Sequence, residues 1–229
     1  MDKITTIFFD IDDTLLNHSE AEEKGIRSIH KKHYKEVSYK RFKRIWMLFA
    51  RRYWKLFEEK KLTFSEQRIQ RIMHIWEEFG KKVSRKEADV LFKEYLSFYE
   101  YYWQPFPQVV PTIKKLQKKG FVLGIISNGN TKQQIQKLQK IKIYPYLDKK
   151  LIITSELAGH AKPEKQIYIH AQKQANVSGK KILFISNDAI KDLEPAKRIG
   201  WRVMLFDYFQ LFPKHRSIKD FKELYNFLL

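Results

Sequence analysis

Apolar residues recur along this chain in two rhythms. Residues 4–9 (Ile-Thr-Thr-Ile-Phe-Phe) form a short apolar run that stops at acids, and four more β-rich runs follow at Phe121–Ser127, Leu151–Thr154, Lys181–Ser186 and Arg202–Phe206. Runs of this length bounded by polar residues predict buried strands. Between them lie helical patterns: Val110–Lys119, closed by Gly120; Thr131–Lys140; Pro163–Ala175, with proline in its first turn; and Asp192–Ile199, closed by Gly200. A last one, Ser217–Phe227, opens with Ser217 and Asp220 at the spacing of a capping box. Strands alternating with helices predict an α/β fold, a mostly parallel sheet with helices on both faces.

The stretch 18–104 has only the second rhythm. Over Tyr39–Lys60 the apolar positions Phe42, Ile45, Trp46, Phe49, Tyr53, Leu56 and Phe57 follow a helical period. Thr63 with Glu66, and Ser84 with Glu87, have capping-box spacing and predict two more helix starts, and Glu20–His33 is a fourth candidate. The aromatic residues here read as the core of a helical bundle. The expected division is therefore a core of 1–17 and 105–229, with an all-helical insert at 18–104 after the first strand.

Composition narrows the class. Of 229 residues, 43% are apolar and 31% charged, which suits a folded, well-solvated protein. The formal net charge of +19 would draw anions, but the basic residues are spread over the whole chain as a lysine-rich surface. No nucleic-acid motif accompanies them, so no specific nucleic-acid partner is expected. Without cysteine there is no disulfide and no thiolate metal site. Charged residues interrupt the N-terminal apolar stretch and no run of 18 apolar residues occurs, so no membrane partner and a cytoplasmic location are expected.

The chemistry-bearing residues cluster just after the strands, where open α/β sheets bind ligands. Asp10, Asp12, Asp13 and Thr14 follow the first; Ser127, Asn128 and Gly129 the second; Lys162 the third, beyond a loop; Asn187, Asp188 and Asp192 the fourth. Two carboxylates as close as Asp10 and Asp12 need a cation or a shared proton. A hard cation such as Mg²⁺ takes one or two carboxylates together with a substrate phosphate.

Asp10-Ile11-Asp12-Asp13-Thr14-Leu15 resembles the first motif of the haloacid dehalogenase superfamily. Ile125-Ile126-Ser127-Asn128-Gly129 resembles its second, Lys162-Pro163 its third, and Asn187 to Asp192 with Ala196-Lys197-x-x-Gly200 its fourth. The motifs stand in order over nearly the whole chain. The resemblance implies a Rossmann-like core and a helical cap that closes over the site and selects the substrate. It implies Asp10 as a nucleophile forming an aspartyl-phosphate, and Asp12 as the acid that protonates the leaving alcohol and later activates water. Thr14 would support the nucleophile. Ser127 and the amides of Asn128 and Gly129 would bind phosphoryl oxygens, and Lys162 would offset charge. Mg²⁺ would be held by Asp10, the Asp12 carbonyl, and Asn187, Asp188 or Asp192 of the fourth motif.

Asp12 discriminates within that superfamily. Its dehalogenases lack an acid at this position, because halide leaves without a proton, whereas an alcohol leaving phosphate benefits from one. The expected enzyme is a Mg²⁺-dependent phosphomonoesterase acting on a small phosphorylated metabolite. Its motifs are similar to those of the nucleoside 5′-monophosphatase branch. One position departs from the pattern: Asn187 stands where a second metal-binding carboxylate belongs, and Asp188 replaces it only through a one-residue shift. That leaves open a catalytically impaired relative that binds a phosphate ligand or a partner. A salt-sensitive nucleic-acid binder, resting on net charge alone, ranks last.

Overall fold

In the computed structural model, which describes residues 2–213 and 215–228, each apolar run becomes a strand. They are β1 (Thr6–Phe9), β2 (Val122–Ser127), β3 (Ile152–Thr154), β4 (Ile182–Ser186) and β5 (Arg202–Phe206), joined by β6 (Ser217–Ile218). All pairings are parallel, in the order β3-β2-β1-β4-β5-β6. In chain order the helices are α1 (His18–His33), α2 (Tyr39–Glu58), α3 (Phe64–Glu77), α4 (Arg85–Tyr101), α5 (Val109–Lys118), α6 (Thr131–Lys140), α7 (Ser155–Ala158), α8 (Lys165–Ala175), α9 (Glu194–Arg198) and α10 (Phe221–Leu228). The chain divides into two units, Met1–His18 with Trp103–Leu229, and Ser19–Tyr102.

Strand alternation builds the two faces of the sheet. Phe8 packs on one side with Ile126, Phe184, Trp201 and, from α8, Tyr168; its ring stacks on Trp201 at 5.5 Å between centroids. Phe9 turns to the other side, 6.3 Å from Phe221 of α10, whose backbone carbonyl accepts the Thr112 hydroxyl of α5. Phe9 lies level with Ile125 of β2 and Ile185 of β4. That register brings Asp10, Ser127 and Asn187 out at the same carboxyl edge.

Three predicted helix boundaries move, each for a visible reason. The helix expected from Ser217 begins at Phe221, because the capping pair is Asp220 with Glu223. The Glu223 carboxylate takes the N–H groups of Lys219 and Asp220 at 3.2 and 3.1 Å, and Ser217–Ile218 pairs with β5 instead. The helix expected from Asp192 is preceded by a π-helical turn, Ala189–Leu193, because the Asp188 carboxylate caps the N–H groups of Ile190 and Lys191. Pro163 lies in the turn before α8, where the Glu164 N–H bonds to the Ala161 carbonyl.

Within the helical unit, α2 buries Phe42, Trp46, Phe49 and Tyr53 on one face, and Trp46 meets Tyr95 of α4 at 4.8 Å. Ser84 and Glu87 form the full reciprocal capping box. Thr63 caps α3, but Glu66 turns to Arg85 and Gln70, so only half of that box forms. Among the described residues no helix is long and apolar enough to cross a membrane.

Gly124 lies opposite Phe8, and a Cβ there would stand 2.5 Å from the Phe8 ring and 2.8 Å from the Leu151 Cβ. Overpacking of this kind costs about 1–3 kcal/mol. Gly124→Ala is expected to lower the denaturant midpoint accordingly, and an unchanged midpoint would contradict the packing described.

Candidate active site

Asp10 is the first residue beyond β1. Its N–H bonds to the Ile185 carbonyl of β4 at 3.0 Å, which continues the sheet pairing and fixes the side chain at the strand end. The carboxylate is buried. Oδ1 accepts the Lys162 ammonium at 2.7 Å and Oδ2 faces the Thr14 hydroxyl at 3.3 Å. Lys162 is equally buried and also donates to Asp192 Oδ2 at 2.6 Å, an oxygen that accepts the Ser186 hydroxyl at 2.6 Å as well. Asn128 clamps the Lys162 backbone from both sides, its Nδ2 donating to the carbonyl at 3.0 Å and its Oδ1 accepting the N–H at 2.8 Å.

After Asp10 the chain turns sharply, and the Ile11 carbonyl accepts the N–H groups of Thr14, Leu15 and Leu16. Asp13 adopts the left-handed conformation at φ 56° within that turn. Asp12 projects towards α6, where the buried Lys137 ammonium donates to both carboxylate oxygens at 2.7 and 2.8 Å. His18 Nδ1 stands 3.8 Å from the same carboxylate. One turn earlier on α6, Gln134 Nε2 donates to Ser127 Oγ at 3.0 Å and to the Asn128 carbonyl at 2.8 Å, and reaches Asp12 Oδ2 at 3.5 Å.

The carboxylates of Asp10 and Asp12 are tuned in opposite directions. Burial pushes the Asp10 carboxyl up to about 6; Lys162 pulls it down, while Asp192 and Asp12 repel its charged form. Burial also works against ionised Asp12, but Lys137 and His18 outweigh it and hold the carboxyl below its ordinary value. Lys162 is penalised by burial, yet Asp10 and Asp192 together hold its ammonium charged well above the usual lysine range.

Several residues expected to meet substrate or metal are engaged elsewhere. Thr14 is fully buried. Its Oγ accepts the Asn187 N–H at 3.0 Å, and its single hydrogen goes to Asp10 or to Asn187 Oδ1, so it supports the site from beneath. The Gly129 N–H is taken by Ser155 Oγ at 2.9 Å, and the Asn128 side chain by Lys162. Ser127 Oγ accepts Gln134 and keeps its own hydrogen to donate. Asp188 Oδ1 caps a helical turn and Asp192 Oδ2 pairs with Lys162 and Ser186, so one oxygen of each carboxylate is committed within the protein. Sequence reading missed Lys137, Gln134, Ser186 and Ser155. The available signal was that Gln134 and Lys137 share the apolar side of α6 with Leu138.

Among the described residues no three acidic or histidine side chains gather as a metal cage. Asp10 and Asn187 do present oxygens to one shared hydroxyl, that of Thr14, at 3.3 Å each. Burial first, and then the charges of Asp192 and Asp12, work against the ionised Asp10 carboxylate, and a cation beside it would relieve both. A hard cation that takes one carboxylate, neutral oxygens and phosphate fits that donor set, with one fewer charge than two carboxylates would give.

A family model described as haloacid dehalogenase-like hydrolase matches residues 4–200. Glyceraldehyde 3-phosphate phosphatase of Methanocaldococcus jannaschii is 31% identical over 97 residues, 42% of this chain and 42% of that protein. Phosphoglycolate phosphatase of Aquifex aeolicus is 27% identical over 124 residues, 54% of this chain and 57% of that protein. The chain thus spans little more than half, or less, of these relatives' length. The magnesium-bound crystal structure of the HAD-hydrolase YfnB of Bacillus subtilis superposes with a TM-score of 0.80 at 24% identity, covering 99% of each chain. That likeness shows the fold.

The Asp10 carboxyl is expected to titrate near pH 6 in the metal-free protein when followed by ¹³C NMR, and Lys162→Met to move the midpoint upward. The folded state holds this proton more tightly than the unfolded chain, so Asp10's contribution to stability is full below the ordinary aspartate range and is lost as pH rises through about 6. A midpoint at or below 4 would contradict the burial and repulsion described.

Proposed function

This chain belongs to the haloacid dehalogenase-like hydrolase family, and from that premise we propose that it hydrolyses a small phosphate monoester through an aspartyl-phosphate at Asp10. The observation that carries the reading is Asp12, a second carboxylate close enough to repel Asp10 and held by its own ammonium. Displacement of a halide needs no such group; expulsion of an alcohol from phosphate does.

In the first step an Asp10 oxygen attacks phosphorus. The bond to the ester oxygen breaks, its electron pair stays on that oxygen, and the alcohol takes a proton from Asp12, which Lys137 and His18 keep ionised in the free site and which has to take up that proton as the negatively charged ester arrives beside it. In the second step a water oxygen attacks the same phosphorus and its proton passes to the Asp12 carboxylate. The bond to Asp10 then breaks, returning the carboxylate and releasing inorganic phosphate. Lys162 stays with Asp10 and Asp192 throughout and offsets the charge gathered there. We assign the Ser127 hydroxyl, which accepts Gln134 and retains its own hydrogen, as a donor to a phosphoryl oxygen. We assign Mg²⁺ to Asp10 and Asn187 with the Asp12 carbonyl, where it would draw in the phosphate and polarise its oxygens.

Phosphorylated three- and two-carbon acids and aldehydes lead the substrate classes, on the names of the partial relatives. Nucleoside 5′-monophosphates remain in the proposal from the motif resemblance. Residues 18–104 are assigned as the cap that selects among them. A second reading, a phosphate-binding relative without turnover, is favoured by one feature: Asn187 supplies an amide oxygen where a carboxylate would bind the metal more strongly.

Phosphate release is to be measured with an aryl phosphate, nucleotides and small phosphorylated acids, with and without Mg²⁺. Asp10→Asn is expected to abolish turnover, and Asp12→Asn to lower kcat by about 10²–10⁴-fold. Turnover surviving in Asp10→Asn would refute the covalent route, and a wild-type protein inert with every divalent cation would favour the binding reading. Asn187→Asp is expected to lower the Mg²⁺ concentration for half-maximal activity by about tenfold, by restoring one ligand charge. An unchanged Mg²⁺ dependence would remove Asn187 from the metal site.

A further inference from the structure

Each of the two reactive carboxylates has an ammonium of its own. Lys162 is committed to Asp10 and Asp192, 2.7 and 2.6 Å away. Lys137 comes from a different element, α6, and reaches Asp12 at 2.7 and 2.8 Å. A lysine this deeply buried, with a side chain only 5% exposed, does not lie at a helix surface by chance of composition. Its ammonium lost its water on folding, and the Asp12 carboxylate is the acid it faces. The carboxylate itself is only partly buried, 30% exposed, so its outer side remains open to a small molecule.

That arrangement has a directional consequence. An ionised carboxylate offers about four lone-pair positions. One ammonium bonded to both oxygens occupies the positions on its own side and leaves those facing away from α6. Gln134 adds to the same side, reaching Asp12 Oδ2 at 3.5 Å while it holds Ser127 at 3.0 Å. His18 Nδ1, 3.8 Å from Asp12 Oδ1, stands farther off than these two α6 groups. We propose that Lys137 is the positioning residue for Asp12, holding its carboxylate so that the oxygen face turned away from α6 exchanges the proton in both half-reactions. Lys137 itself neither touches the phosphate nor transfers a proton. The inference rests on the phosphatase reading and assigns to α6 a part in it that the strand-end motifs do not contain.

The second half-reaction isolates this role. An aryl phosphate expels a good leaving group without a proton, so forming the aspartyl-phosphate needs little from Asp12. Discharging that intermediate by water needs Asp12 as the base. Rapid-quench kinetics with p-nitrophenyl phosphate should therefore split the two steps in Lys137→Met. Phosphoenzyme should form within about threefold of the wild-type rate and discharge at least about tenfold more slowly, a fraction of the range for general base catalysis. A burst approaching one nitrophenolate per site should appear. Lys137→Arg should recover most of the discharge rate. On an Asp12→Asn background, Lys137→Met should change the rates less than about twofold, because both changes remove one function. Should the Met variant not fold, Lys137→Gln carries the same test.

Equal loss in formation and discharge, no loss in either, or full additivity with Asp12→Asn would overturn the proposal. If the wild-type protein turns over no phosphate ester, the phosphatase reading fails and the structural arm decides the placement of Asp12. A crystal structure of Lys137→Met is expected to keep Lys162 on Asp10 and show the Asp12 carboxylate rotated away from its place beside α6. An unmoved Asp12 carboxylate would overturn the proposal regardless of activity.

Discussion

A single buried ammonium organises the α/β unit's functional edge. Lys162 lies between Asp10 and Asp192, three ions withdrawn from water within one network. Removing such charges from solvent costs several kcal/mol each, and only close geometry with further hydrogen bonds repays it. The fold supplies both. The level register of β1 with β4 sets Asp10 beside Ser186, whose hydroxyl completes the shell of Asp192. Asn128, at the end of β2, fixes the backbone from which Lys162 reaches in. Burial, with the repulsion of Asp192 and Asp12 added to it, outweighs the pull of Lys162, and the Asp10 carboxyl rises to about 6.

The strand ends were legible in the sequence because parallel strands buried on both faces have to be short apolar runs, and their first polar residues have to emerge together. Asp10, Asp12, Ser127, Lys162 and Asn187 were found by that rule and by the order of the motifs. What each side chain does there was less legible. The amides of Asn128 and Gly129 read as phosphate donors, yet the Gly129 amide is taken by Ser155, and the Asn128 side chain has a different task, holding the Lys162 backbone. Asp188 read as a possible substitute ligand, yet its carboxylate is taken by the N–H groups of Ile190 and Lys191 at the start of a helical turn. Local backbone donors compete for short polar side chains, and spacing alone does not say who wins.

Lys137 and Gln134 were missed for a different reason. In a chain with 45 lysines and arginines, a lysine on a helix is ordinarily a solvated one. The distinguishing fact is tertiary: both residues lie on the side of α6 that carries Leu138, where the helix is buried. Polar residues on the apolar stripe of an otherwise amphipathic helix are the pattern that marks them, because burial without a partner would be costly.

The same charges bear on the departure at Asn187. Asp10, Asp12 and Asp192 stand against Lys162 and Lys137, which leaves one negative charge where, on the proposed function, a phosphate dianion would arrive. The chain's net charge of +19 draws anions to the protein over distance, but it acts through water and salt and does not cancel a local carboxylate. An aspartate at 187 would bind a divalent cation more firmly and leave the site more hostile to phosphate before the cation binds. Asparagine gives up part of that grip and lessens the repulsion. On this balance the amide at 187 is compatible with turnover, provided that one divalent cation accompanies the ester, because that cation then converts a site with one excess negative charge into one with one excess positive charge.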